Sequence, residues 1–191
     1  MRSWRLVPVL SVLLATLTVP ASAQFVVFPK AGELISPDGG FVVRNAEREG
    51  SRSDIVGTFH SLWLHEMSSG RSRKLCDYVG VAAVAWSEEN FLVVTQYVGK
   101  KTSRALVFSA TGSEDPVMLN KSTLIYLVPA QLRATLREND HVFVEAESVG
   151  QGTLHFRVWG YGTHDANGFR WRCAYTLRDG NATCKEENPA R

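Results

Sequence analysis

The residue types able to do chemistry are few in this chain, and their spacing argues against most constellations. The five histidines are His60, His65, His141, His155 and His164. His65-Glu66 begins like a zinc-protease motif, in which a second histidine four residues after the first completes the ligand pair, but position 69 is Ser. His60 and His65 differ by an odd number, so a continuous strand sends them to opposite faces. No metal site follows. Glu145 and Glu147 share a strand face and have the outline of paired carboxylates for glycoside hydrolysis; like charges at that spacing are the ordinary mark of a solvated face. His164-Asp165 sits in the loop Gly162 to Gly168, where the Asp either orients the His or caps the turn through its own backbone. Gly-x-Ser-x-Gly, phosphate-loop and Cys-x-x-Cys motifs are absent, and Gly160-Tyr161-Gly162 precedes no phosphate-binding helix pattern. The expectation is a protein that is not an enzyme and holds no cofactor.

Three cysteines, Cys76, Cys173 and Cys184, remain to be placed. Cys173 and Cys184 flank a hairpin-like stretch with Asp179-Gly180 as its turn, which favours their pairing. A link between Cys76 and Cys173 would instead tie distant parts of the chain together. A Cys76 left free is a catalytic thiol or, in its apolar context, a small buried hydrophobe.

The elements that would position these residues are short. Phe41-Val42-Val43, Ser61-Leu62-Trp63-Leu64, Phe91-Leu92-Val93-Val94, Ala105-Leu106-Val107-Phe108, Val142-Phe143-Val144 and Leu154 to Trp159 are apolar, β-branched and aromatic runs separated by Gly, Asn, Asp and Ser. They read as strands of an all-β domain. Pro129 to Arg137 reads as a short helix or an irregular strand. The aromatic set Trp159, Tyr161, Phe169, Trp171 and Tyr175 is suited to binding sugars or proteins, and equally to a core, since Phe169, Trp171 and Cys173 alternate.

The first 23 residues carry Arg2 and Arg5, no acidic residue, an apolar run from Leu6 to Leu17 and Ala21-Ser22-Ala23 at their end. That is the pattern of a secretory signal peptide cleaved before Gln24. Removing 23 of 191 residues leaves 168, about one domain, 24–191, in an oxidising periplasmic or extracellular setting. Loss of Arg2 and Arg5 takes the basic residues from 21 to 19, equal to the 19 acidic ones. A balanced charge speaks against nucleic-acid binding, and the apolar runs are too short for a membrane span.

Segments of the chain superimpose at an offset of 51: Ser36-Pro37-Asp38-Gly39 on Ser87-Glu88-Glu89-Asn90 and then on Glu138-Asn139-Asp140-His141. Each polar turn follows a short apolar run (Leu34-Ile35, Ala85-Trp86, Thr135-Leu136) and precedes a strand. Fourth strands are expected at 73–79, 116–120 and 169–177, within repeats of about 32–79, 81–120 and 132–177.

Ser36-Pro37-Asp38-Gly39-Gly40-Phe41-Val42-Val43, followed by Leu62-Trp63-Leu64 and Ser69-Gly70, resembles the repeats of the periplasmic TolB and WD40-like propeller families. That resemblance implies three four-stranded antiparallel propeller-like blades, a partial or small β-propeller. Three blades leave an opening, because propellers close with about four to eight. The opening is filled by a closed wedge of repeats, by self-association or by a partner protein. The chain also resembles small periplasmic immunity proteins that neutralise peptidoglycan amidase effectors of type VI secretion, in which a hairpin of the middle repeat plugs the effector's cleft. The matching stretch runs from Tyr97 to Arg104, so this resemblance implies partner contacts from Gly99, Lys100, Lys101, Thr102 and Ser103. The two lysines depart from that pattern and suit a partner with an acidic rim.

The expected function is that of an exported protein-binding module, an inhibitor or immunity factor for a periplasmic toxin or cell-wall hydrolase. The alternatives are a self-associating propeller that serves as scaffold or small-ligand binder, and a hydrolase of unrecognised type.

Overall fold

The computed structural model describes residues 23–47, 59–99, 101–112, 115–162 and 168–187. Among them the strands form three antiparallel sheets. The first takes β2 (Glu33–Ile35), β3 (Phe41–Glu47), β4 (Phe59–Glu66) and β5 (Ser72–Val79) in chain order. The second takes β6 (Ala82–Trp86), β7 (Phe91–Tyr97), β8 (Ser103–Ser109) and β9 (Val117–Leu119), with β1 (Val26–Phe28) added beside β6. The third takes β10 (His141–Gly150), β11 (Thr153–Tyr161), β12 (Phe169–Thr176) and β13 (Ala182–Glu186). Two short helices, α1 (Lys121–Leu127) and α2 (Arg133–Glu138), lie between the second and third sheets in sequence.

The apolar pattern explains how the sheets pack. Leu92 and Val94 of β7 join Leu62 and Leu64 of the first sheet in one cluster, while Val93 joins Val144, Phe156 and Trp171 of the third sheet in another. The middle sheet is therefore covered on both faces, and its strands read as continuous apolar runs rather than alternating ones. Leu124, Val128, Leu132 and Leu136 bring the helical segment onto the same side as the third sheet. Each fully buried Val or Leu here contributes about 1.5–3 kcal/mol.

The first two copies of the polar turn have one construction. In the first, Gly39 donates its N–H to the Ser36 carbonyl at 2.9 Å, and Phe41 donates to Ser36 Oγ at 2.9 Å. In the second, Asn90 donates to the Ser87 carbonyl at 3.2 Å, and Phe91 to Ser87 Oγ at 3.0 Å. Gly39 and Asn90, 51 positions apart, both have positive φ, 72° and 60°, the region Gly and Asn enter most readily. Asn90 Nδ2 also donates to Asp38 Oδ2 at 2.6 Å, which joins the two turns.

The third copy departs from this construction. Thr135 and Leu136 lie in α2, and Asn139 ends that helix by donating its side-chain amide to the Thr135 carbonyl at 2.8 Å. The third sheet accordingly starts at His141 and ends at Glu186, one strand later than the repeat 132–177: the stretch 169–177 supplies its third strand, and β13 its fourth. The stretch Pro129 to Arg137 is helical from Ala130 on, in a 3-10 turn (Ala130–Leu132) followed by α2, with Pro129 as the cap ahead of it.

Cys173 and Cys184 are directly opposite in the β12–β13 register and form the disulfide. The alternative link from Cys76 to Cys173 is thereby overturned, and Cys76 is a free thiol.

Candidate functional site

The β7–β8 hairpin closes with Tyr97 opposite Ser103. Across its tip Val98 donates to the Thr102 carbonyl at 2.8 Å, and Thr102 Oγ1 donates to the Val98 carbonyl at 3.1 Å. Gly99 turns the chain with φ of 75°. Gly99 and Lys101 are exposed and Thr102 is half-buried; Lys100 lies outside the described residues.

Ser103 requires a correction. It is 1% exposed, donates its hydroxyl to the Val144 carbonyl at 2.8 Å and accepts from the Val144 N–H at 2.7 Å. It holds the third sheet and has no surface to offer a partner. Thr95 Oγ1 accepts from the Ala146 N–H at 3.3 Å, and Thr102 bridges Val142, so the hairpin is fastened along β10. Isolated edge strands leave N–H and C=O groups unpaired; here two hydroxyls take the place of a strand.

This fastening sets Tyr97 beside the outer face of the third sheet. Odd-numbered residues of β11, and those of β10 ahead of the register shift between Ala146 and Ser148, point away from the core, which makes neighbours of His141, Phe143, Trp159 and Tyr161. Phe143 stacks on Trp159 with ring centres 4.1 Å apart, His141 stacks on Tyr161 at 4.5 Å, and Tyr97 tilts over Phe143 at 6.4 Å. Phe143 is 5% exposed as a result, whereas Tyr97, Val98 and Tyr161 are 48%, 46% and 42% exposed. A rigid aromatic base thus carries an exposed apolar rim.

Tyr97 Oη donates to Glu145 Oε1 at 3.1 Å. Partial burial, and then the Glu145 charge, push the Tyr97 phenol above its ordinary pKa. Arg157 bonds Glu147 and Glu187, and Arg172 bonds Glu187 at 2.6 Å. Glu145 and Glu147 are therefore each committed to a different partner, and a register shift between Ala146 and Ser148 separates them.

The aromatic set read from the sequence is divided by the pleat. Trp171 and Tyr175 are buried in the core with Phe156, while Trp159 and Tyr161 join the outer face. Tyr97, His141 and Phe143 complete that face and were not among the candidates; the period-two alternation His141-x-Phe143 and Trp159-x-Tyr161 is the signal that groups them.

The remaining chemical candidates do not converge. His60 is buried, stacks on Tyr78 and lies 3.3 Å from the Asn45 amide, while His65 meets Ser72 Oγ at 2.6 Å. Ser61 donates to Asp77 at 2.6 Å. His164 and Asp165 lie outside the described residues. Among the described residues no group of three His, Cys, Asp or Glu could hold a metal ion, and no helix is long and apolar enough to cross a membrane. Burial pushes the Cys76 thiol up to about 12, which removes the thiolate that nucleophilic chemistry needs.

No known protein family, curated protein or solved structure matches this chain.

Proposed function

We propose that this chain is an exported, non-enzymatic protein-binding module built of three propeller-like repeats, which acts as an inhibitor or immunity factor toward a periplasmic toxin or cell-wall hydrolase. The observation that carries this reading is the exposed rim of Tyr97, Val98 and Tyr161 on the stacked base of Phe143 and Trp159. Tyr and Trp dominate binding energy at protein interfaces because they bury large area at low entropic cost. The base is held by the Ser103 and Thr95 hydroxyls, so little ordering remains to be done on binding. Exposed Lys101 and Arg170 flank the rim and suit acidic groups on the partner.

The propeller element of the proposal is supported by the matching Ser36 and Ser87 turns and by the middle sheet's burial between its two neighbours. The periplasmic setting is supported by the apolar leader and the disulfide.

The test is affinity for a candidate hydrolase toxin encoded beside this gene, measured with Tyr97→Ala, Tyr161→Ala and a Gly99–Thr102 loop replacement. Each tyrosine truncation is expected to weaken binding about tenfold or more. A toxin bound as tightly by all three variants as by the native protein would remove this face from the interface.

A further inference from the structure

A cleft of about 320 Å3 lies between the first and second sheets, at the end of β8 farthest from the Tyr97 hairpin. Phe41, Leu64 and Ala110 give it an apolar lining. Arg73 stands opposite Leu64 in the β4–β5 register and reaches across to the second sheet, where Nη2 donates to the Ser109 carbonyl at 2.6 Å. Among the described residues no carboxylate pairs with it. Partial burial lowers the pKa of its guanidinium.

The other arginine of the cleft differs. Arg71 donates through Nη2 and Nε to Glu66 Oε2 at 2.9 and 3.1 Å. Ser69 donates to the same oxygen at 2.6 Å, and that bond, followed by the one from Arg71, holds the Glu66 carboxyl below the usual carboxylate range. Arg71 and Glu66 cancel. Among the described residues the cleft is left with one positive charge that no carboxylate pairs, at the margin of an apolar wall.

We propose that this cleft binds a small organic monoanion, a carboxylate on an apolar body, with Arg73 holding the carboxylate and Phe41, Leu64 and Ala110 receiving the body. The planar guanidinium matches the carboxylate fork. The volume lies at the small end of ligand cavities, which suits a single ring or a short aliphatic chain. A phosphate dianion is disfavoured because, with Arg71 and Glu66 paired, Arg73 is the single positive charge the described lining offers. The site is separate from the proposed partner face and stands or falls independently of it.

Calorimetric titration of the purified protein with benzoate and with hexanoate tests this. Both are expected to bind, while benzyl alcohol and inorganic phosphate do not. Arg73→Gln should weaken benzoate binding about tenfold or more, since bonds to charged groups are the strong ones. Arg73→Gln also loses the bond to Ser109, so Ala110→Leu, which fills the cleft and leaves the arginine in place, should weaken it comparably while keeping the native circular dichroism. N-acetylphenylalanine and its amide separate two sources of the carboxylate: preference for the acid over benzoate and hexanoate assigns the site to a peptide terminus, and the reverse to a free acid. Equal binding of benzyl alcohol and benzoate, native benzoate affinity in either variant, or no binding of benzoate, hexanoate or N-acetylphenylalanine overturns the proposal.

Discussion

Ser103 and Val144 form the seam between the second and third sheets: one buried hydroxyl donates to the Val144 carbonyl at 2.8 Å and accepts from its N–H at 2.7 Å. A residue whose place in the sequence is the end of an exposed hairpin thus acts as a substitute strand partner. The seam also positions Tyr97 over Phe143, so the integrity of the sheet contact and the shape of the aromatic face are linked.

Ser103→Ala leaves both Val144 backbone groups without partners at a site with no exposure. The expected cost is about 1–3 kcal/mol, the penalty for orphaned buried polar groups. Urea unfolding reads it as a lower midpoint with unchanged slope. An unchanged midpoint would mean that the hydroxyl contributes nothing to the seam.

Gly160 lies between Trp159 and Tyr161 where no side chain fits. A Cβ there would stand 2.3 Å from the His141 carbonyl oxygen and 2.7 Å from the Phe169 ring. Gly160→Ala should force β10 and β12 apart, at a cost of about 1–3 kcal/mol or more, and alter the near-ultraviolet circular dichroism of the stacked rings. Gly32→Ala, with nothing within 4 Å of the added carbon, is the control and should leave both readouts unchanged.

The thiols should respond differently to reagent and to reductant. Cys76 is half-buried and its pKa is pushed up to about 12, so its thiol in the folded protein should react with a disulfide reagent more slowly than in the unfolded chain. Reduction of Cys173–Cys184, whose sulfurs close a loop spanning 11 residues, should lower stability by about 2–3 kcal/mol. Rapid titration of one thiol in the folded state would contradict the burial of Cys76.

Alkaline pH should destabilise the fold. Cys76, Tyr78, Tyr97 and Tyr175 all have pKa values raised by burial, and Tyr97 in addition by Glu145. A raised folded pKa means that the native state holds its proton more tightly than the unfolded chain does. The resulting stability is complete below the unfolded values, about 8.5 for Cys and about 10 for Tyr, and is lost as pH rises through the folded ones. Unfolding free energy should therefore begin to fall above about pH 8.5 and fall faster above about pH 10. Cys76→Ala should remove the earlier part of the decline. A flat profile to pH ~11 would contradict the assigned shifts.

Much of the fold is legible without coordinates because the interactions that build it are local. Cys173 and Cys184 flank a turn in which Thr176 and Asn181 pair and Gly180 takes a positive φ, so a hairpin and its register follow from neighbours in sequence. The Ser36 and Ser87 turns are closed by the same serine hydroxyl bond, and their likeness is visible in residue types. α1 is harder to read because its capping box uses Asn120 and Thr123 rather than a Ser or Thr paired with Glu or Gln, and Thr123, Ile125 and Tyr126 suit a strand as well.

The sequence by itself determined the all-β character, most of the strands and the first two polar turns, and it favoured the Cys173–Cys184 pairing that the β12–β13 register then settled. Only the tertiary structure decided which sheets cover the two faces of the middle sheet, that Ser103 turns inward, that Trp159 and Tyr161 part from Trp171 and Tyr175, and that Arg73 lines a cleft where, among the described residues, no carboxylate pairs with it. The physical reason is distance along the chain. Turn and alternation signals act over a few residues, whereas Ser103 meets Val144 across 41 positions and Arg73 meets Ser109 across 36. Such contacts depend on how whole sheets pack, and packing is set by the sum of all buried surfaces rather than by any one segment.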